Sequence, residues 1–189
     1  MSATPDTDRS FLEAASPSYL QALCAIREFR REVQERCDRV VRPRLAEQAS
    51  ALGLPLNEDM IAPYSRPEKL SNWSGSSANL GVRLVAREGT VELYYVMSWE
   101  QEQAGDPSIS AVVSVWVKGR HTVARIWEEV KKTGHPRLYA WENLIVLAKP
   151  LAAGQIGAFD ESLEGLITEW SGVWERTGGL NKFVSPPAS

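Results

Sequence analysis

His121 and His135 are the only histidines in the 189-residue chain. A zinc site read from sequence needs a second histidine, a cysteine or a carboxylate at ligand spacing from the first. Neither histidine has such a neighbour. The two stand at opposite ends of one predicted helix and read as turn or cap residues. The run "SGSSAN" at 74–79 shares letters with a nucleophile elbow, where a strained strand-to-helix turn exposes a serine. That turn needs glycine where Asn79 stands and a strand ahead of it, and both conditions fail. "GQIG" at 154–157 is too short to cradle a phosphate. Glu129, Val130 and Lys131 spell the E-x-K of a metal-dependent nuclease. That motif works on a strand beside a further acid, such as Glu92, Glu100 or Asp106, so that one Mg²⁺ bridges them. Here it falls on a predicted helix. The sequence therefore nominates no catalytic residue, no metal ligand and no cofactor.

Binding chemistry is better represented. In "VELYYVMSWE", residues 91–100, the odd side chains are all apolar and the even ones mixed, so one strand face faces a core and the other is half apolar. Taken with its predicted neighbours, the even face carries Val85, Tyr94, Val96, Val112 and Trp116. One-sided antiparallel sheets normally turn polar residues outward. An apolar patch there predicts a contact surface, unless helices of the same chain cover it. Trp73 could close over the patch. A second feature is Arg30, which holds a core position of a heptad seam formed by Tyr19, Leu23, Ile26, Val33, Cys37 and Val40. A lone charge in such a seam can fix the register of a helix pair. Arg83, Tyr94, Trp116 and Lys118 could stack single-stranded nucleic acid. A net charge of −3 and the lack of a basic stripe argue against that partner.

These residues need elements to position them. Hydrophobic content of 43% and charged content of 24% are ordinary globular values. No apolar run approaches the ~18 residues of a bilayer span, and the acidic start has no secretory h-region, so a cytoplasmic location is expected. Cys24 and Cys37 share one predicted helix, roughly 20 Å apart, too far for a disulfide, and are expected as buried thiols. Seven tryptophans predict large aromatic area in a core, an interface or both.

Residues 1–16 read as a mobile segment, 17–178 as one domain, and 179–189 as a mobile tail. A helix is expected to start at residues 16–18 and to break at Pro43, followed by a short helix ending at Gly53. Residues 54–80 form a long irregular connection with Asn57 as a possible cap. In the sheet, a turn at Glu88 and Gly89 would set Ala86 against Val91, Leu84 against Leu93 and Val82 against Tyr95. A three-residue bulged turn is the rival geometry. A strand at 109–118 follows, then a helix capped by Thr122 and stopped by Gly134. Residues 137–149 form one strand or a hairpin, and a helix over 160–176 ends at Gly178.

The expected fold is α+β: an antiparallel sheet of four to five strands packed against a long N-terminal helix, a short middle helix and a C-terminal helix. This element order is similar to that of small dimeric secretion chaperones, which are also acidic. The residues point to a non-enzymatic protein-interaction domain, chaperone-like or immunity-like, homodimeric or bound to a protein partner through the apolar sheet face. The alternatives are a metal-dependent hydrolase whose acids order alone does not reveal, and a small-molecule binder using Trp73, Tyr94 and Trp116.

Overall fold

The structure is a computed structural model that describes residues 5–66, 77–100, 108–151 and 155–184. The chain divides into two compact units, Met1–Glu32 and Val33–Ser189. Helix α1 (Pro5–Val41, 37 residues) supplies the first and continues into the second. The chain is already helical at Pro5, so the helix does not begin at residues 16–18, and Pro17 lies inside it. In the first unit Cys24 is exposed, against the expectation of a buried thiol.

In the second unit the last turns of α1 bury Val33, Cys37, Val40 and Val41. Burial pushes the Cys37 thiol up to about 12, with the charge of Asp160 acting in the same direction. Pro43 sits in a single 3-10 turn, Arg42–Arg44, and breaks the helix as its missing N–H requires. Helix α2 (Leu45–Leu52) ends on left-handed Gly53.

Six strands follow among the described residues: β1 (Ile61–Arg66), β2 (Ser77–Ala86), β3 (Val91–Glu100), β4 (Ser108–Val117), β5 (Leu138–Trp141) and β6 (Leu144–Leu151). They form one antiparallel sheet in the order β1-β2-β3-β4-β6-β5. Residues 137–149 form the hairpin of the two alternatives, which gives five strands, and the count reaches six because the proline-bearing connection conceals β1. Pro63 hides β1 from pattern reading, yet an edge strand tolerates proline. The expected register holds: Ala86 pairs with Val91, Leu84 with Leu93 and Val82 with Tyr95. The turn is longer than either geometry expected, with Arg87, Glu88 and Gly89 all left-handed at φ 48°, 55° and 78°. Thr90 stabilises it by donating its N–H and its Oγ1 proton to Arg87 O.

Helix α3 (Arg120–Val130) starts after Gly119 with no side-chain cap, so Thr122 is not the cap residue. Asn57 likewise precedes the 3-10 turn Glu58–Met60 without a side-chain cap bond. Helix α4 (Phe159–Thr177) ends on left-handed Gly178. The chain does not become a free tail at residue 179. Leu180, Phe183 and Val184 are buried, and the Leu180 and Asn181 N–H groups both donate to Leu52 O (2.8 and 3.1 Å). Three apolar side chains anchor a segment whose Pro/Ser-rich ending concealed them.

The main core lies between one sheet face and the helices. Leu84, Leu93, Tyr95, Val113, Val115, Ile145 and Leu147 meet Cys37, Leu52, Ile126, Leu163, Ile167, Trp170 and Trp174. A polar chain runs through it. Tyr95 Oη donates to Gln48 Oε1 (3.2 Å), Gln48 Nε2 donates to Ser171 Oγ (2.5 Å), and Ser171 Oγ donates to Glu47 Oε1 (2.6 Å). Every link satisfies a group that burial would otherwise penalise.

Candidate functional site

The opposite sheet face is built from the alternate residues of each strand. Pairing places them in rows: Tyr64, Gly81, Val96, Val112 and Ala148 in one, and Arg83, Tyr94, Ser114, Val146 and Tyr139 in the next. A third row runs Val85, Glu92, Trp116, Leu144 and Trp141. Val96, Val112 and Val146 form a second hydrophobic cluster, with Tyr64, Tyr94, Leu144 and Ala148 packed around it. All of these residues lie on strands, so the cluster contains no helical side chain. The three valines are only 3%, 9% and 4% exposed. Tall neighbours on the same face, Tyr64, Tyr94 and Leu144, pack against them.

Those neighbours surround a hollow of about 250 Å³. Val96, Val112, Leu144 and Val146 contribute apolar lining, and Tyr64, Tyr94, Trp116, Tyr139 and Trp141 contribute rings. Asn79, Ser98, Ser114, Glu142 and Asn143 add polar groups. Tyr64 and Tyr94 meet edge to face with centroids 4.8 Å apart, an arrangement the ring quadrupoles favour. Tyr94 Oη donates to Glu92 Oε2 (2.5 Å), and Arg83 donates to the same oxygen (3.4 Å). Partial burial first, and then the bond to Glu92 and its charge, push the Tyr94 hydroxyl above its ordinary value. On the far side Tyr139 and Trp141 are 47% and 51% exposed. Asn143 Oδ1 is buried without a hydrogen-bond partner, leaving an acceptor available on a residue that lines the hollow.

Of the seven residues named from sequence, Tyr94, Val96, Val112 and Trp116 line the hollow. Val85 sits on the same face, half-buried and paired with Glu92, but is not part of the lining. Arg30 is exposed on α1 in the first unit and does not line the hollow either. Trp73 lies outside the described residues. Sequence reasoning missed Tyr64, Tyr139, Trp141, Leu144 and Val146. The last four were accessible in "LYAWENLIV", because a hairpin turning at Glu142 and Asn143 puts alternate residues of both arms on one face.

The hollow joins flat apolar walls to a few hydroxyl and amide groups and one carboxylate, that of Glu142. Among the described residues, no three His, Cys, Asp or Glu side chains come together to hold a metal ion. His135 instead lies 3.2 Å from Glu169 through Nε2, and Arg137 also donates to that carboxylate. No helix among the described residues is long and apolar enough to cross a membrane. Comparison with known proteins finds no matching family model, curated protein or solved structure.

Proposed function

We propose that the chain is a non-enzymatic binding domain whose outer sheet face receives one aromatic or large aliphatic side chain of a protein partner. The supporting observation is an apolar cluster made wholly from strand residues and walled by tyrosine and tryptophan. Buried aromatic anchors in such settings carry most of the energy of protein interfaces. Size separates this reading from a small-molecule one. Pockets that bury drug-sized ligands span roughly 300–1,000 Å³, whereas this hollow measures about 250 Å³. One large side chain fills it, and the remaining contacts then come from the partner's flanking backbone against the exposed Tyr139 and Trp141.

The test is selection of displayed random peptides on the full chain, with counter-selection against Trp116→Ala. The expected outcome is a family of peptides sharing one aromatic anchor. Their affinity should fall at least about tenfold, or about 1.4 kcal/mol, in Trp116→Ala, while its thermal midpoint stays close to that of the parent. Peptides that bind both proteins equally, or no enrichment at all, would overturn the reading. A large drop in thermal midpoint with unchanged binding would show instead that Trp116 serves the fold.

A further inference from the structure

On the β5–β6 side of the hollow, Glu142 and Asn143 make the two-residue link between Trp141 and its pairing partner Leu144. Links of that length need a positive φ, which glycine or asparagine adopts with little strain. Glu142 adopts it, at φ 51°. Arg87 and Glu88 are also left-handed, but of the three only Glu142 lines the hollow. A strained residue at the margin of a cleft points to a side chain kept for what it does there. That side chain is a carboxylate without a counter-ion. Glu92, on the same sheet face, already accepts from Tyr94 and Arg83. Among the described residues, no hydrogen bond or ion pair engages the Glu142 carboxylate, and the lining of the hollow contains no Lys, Arg or His. Beside it stand the half-exposed rings of Tyr139 and Trp141, whose faces are negative.

On the anchored-partner reading above, we propose that the partner carries a basic residue, arginine in preference to lysine, within two residues of its anchor. Its cation pairs with the Glu142 carboxylate and lies on the Trp141 ring. The spacing fits. Trp116 and Trp141 share one row with Leu144 between them, so roughly 10 Å of sheet separates the wall of the hollow from its margin. An extended partner advances roughly 7 Å in two residues, and a long basic side chain covers the remainder. Arginine suits the site better because its planar guanidinium can fork onto a carboxylate and stack on an indole. A cation over a ring face is attracted by the ring quadrupole as well.

The test selects displayed random peptides in parallel on the full parent chain and on Glu142→Gln. Peptides from the parent should share an aromatic anchor with a basic residue enriched within two positions of it. Those from Glu142→Gln should keep the anchor and lose the basic residue. In a selected peptide, replacing that arginine by glutamine should weaken binding to the parent about fivefold and leave binding to Glu142→Gln unchanged. Added salt should weaken the parent complex more steeply than the Glu142→Gln complex. Glu142→Gly should melt no lower than the parent, since glycine relieves the left-handed turn. Anchored peptides with no basic preference, or a basic residue enriched equally on both proteins, would overturn this inference and leave the proposed function standing. No anchored peptides at all would overturn both. A Glu142→Gly chain melting well below its parent would also overturn it, by showing that Glu142 serves the turn.

Discussion

Tyr94 and Tyr95 are consecutive residues of one strand and point to opposite faces of one sheet. Tyr95 is fully buried, and its hydroxyl feeds the Gln48–Ser171–Glu47 chain between helices. Tyr94 is half-buried, stands edge-on to Tyr64 and donates to Glu92 at the surface. The same side chain thus serves as a tie on one face and as a wall on the other. The difference lies in what covers each face. Helices fill the Tyr95 side with packed atoms, whereas on the Tyr94 side the described residues form an all-strand cluster and a hollow. An apolar residue on the first face contributes to stability, and on the proposed function an apolar residue on the second serves recognition.

The largest test of that division compares two tryptophans. Trp170 is fully buried on α4, edge-to-face with Trp174 at 5.4 Å. Trp170→Ala should cost about 3–5 kcal/mol, because lost burial and the residual cavity both count. Trp116→Ala should cost about 1 kcal/mol, within the range of ordinary substitutions, since the ring borders space that is already open. Urea denaturation of the two variants checks both values. Equal losses would erase the distinction between the faces.

How much of this was legible in the sequence follows the same division. Strands read well wherever one face was strictly apolar: the β2–β3 register follows from Val82, Leu84 and Ala86 alone, because a one-residue slip would expose all three. The break at Pro43 and the stop at Gly178 were equally plain, since each rests on a backbone property of one residue. The hollow was half legible. Tyr94, Val96, Val112 and Trp116 stood out as apolar residues on a face that should have been polar. Tyr64 was hidden because Pro63 masks the alternation of β1. Tyr139 and Trp141 were hidden because only the hairpin settles which face they share. Sequence names what a strand carries on each face but not which distant strand lies beside it.

A closer test uses the tyrosines themselves. Tyr95→Phe removes a donor from buried Gln48 Oε1 (3.2 Å) and leaves that acceptor without the bond, at a cost of about 1–3 kcal/mol. Tyr94→Phe removes a bond to Glu92, which keeps Arg83 as a second donor and lies near water. Its cost should stay below about 0.5 kcal/mol, as for surface substitutions generally. Chemical denaturation at neutral pH checks the order, and the comparison breaks if Tyr94→Phe proves the more damaging.

The smallest effect is a pH dependence. Both hydroxyls are held above the ordinary tyrosine value of 10.0, Tyr95 by burial and then by the charge of Glu47, Tyr94 by burial and then by its bond to Glu92. The folded state therefore keeps its protons where the unfolded chain releases them. Above pH 10 the unfolded state binds fewer protons, and stability present below that pH falls as pH rises. Cys37, raised from 9.0 to about 12, acts in the same direction and begins about one unit earlier. The buried Tyr95 should dominate between the tyrosines, because solvent screens the half-exposed Tyr94. Denaturation midpoints collected from pH 8 to 11 should fall most steeply for the parent and Tyr94→Phe, and less steeply for Tyr95→Phe. If Tyr94→Phe flattened the alkaline slope and Tyr95→Phe did not, the face with the hollow would be the better sealed of the two.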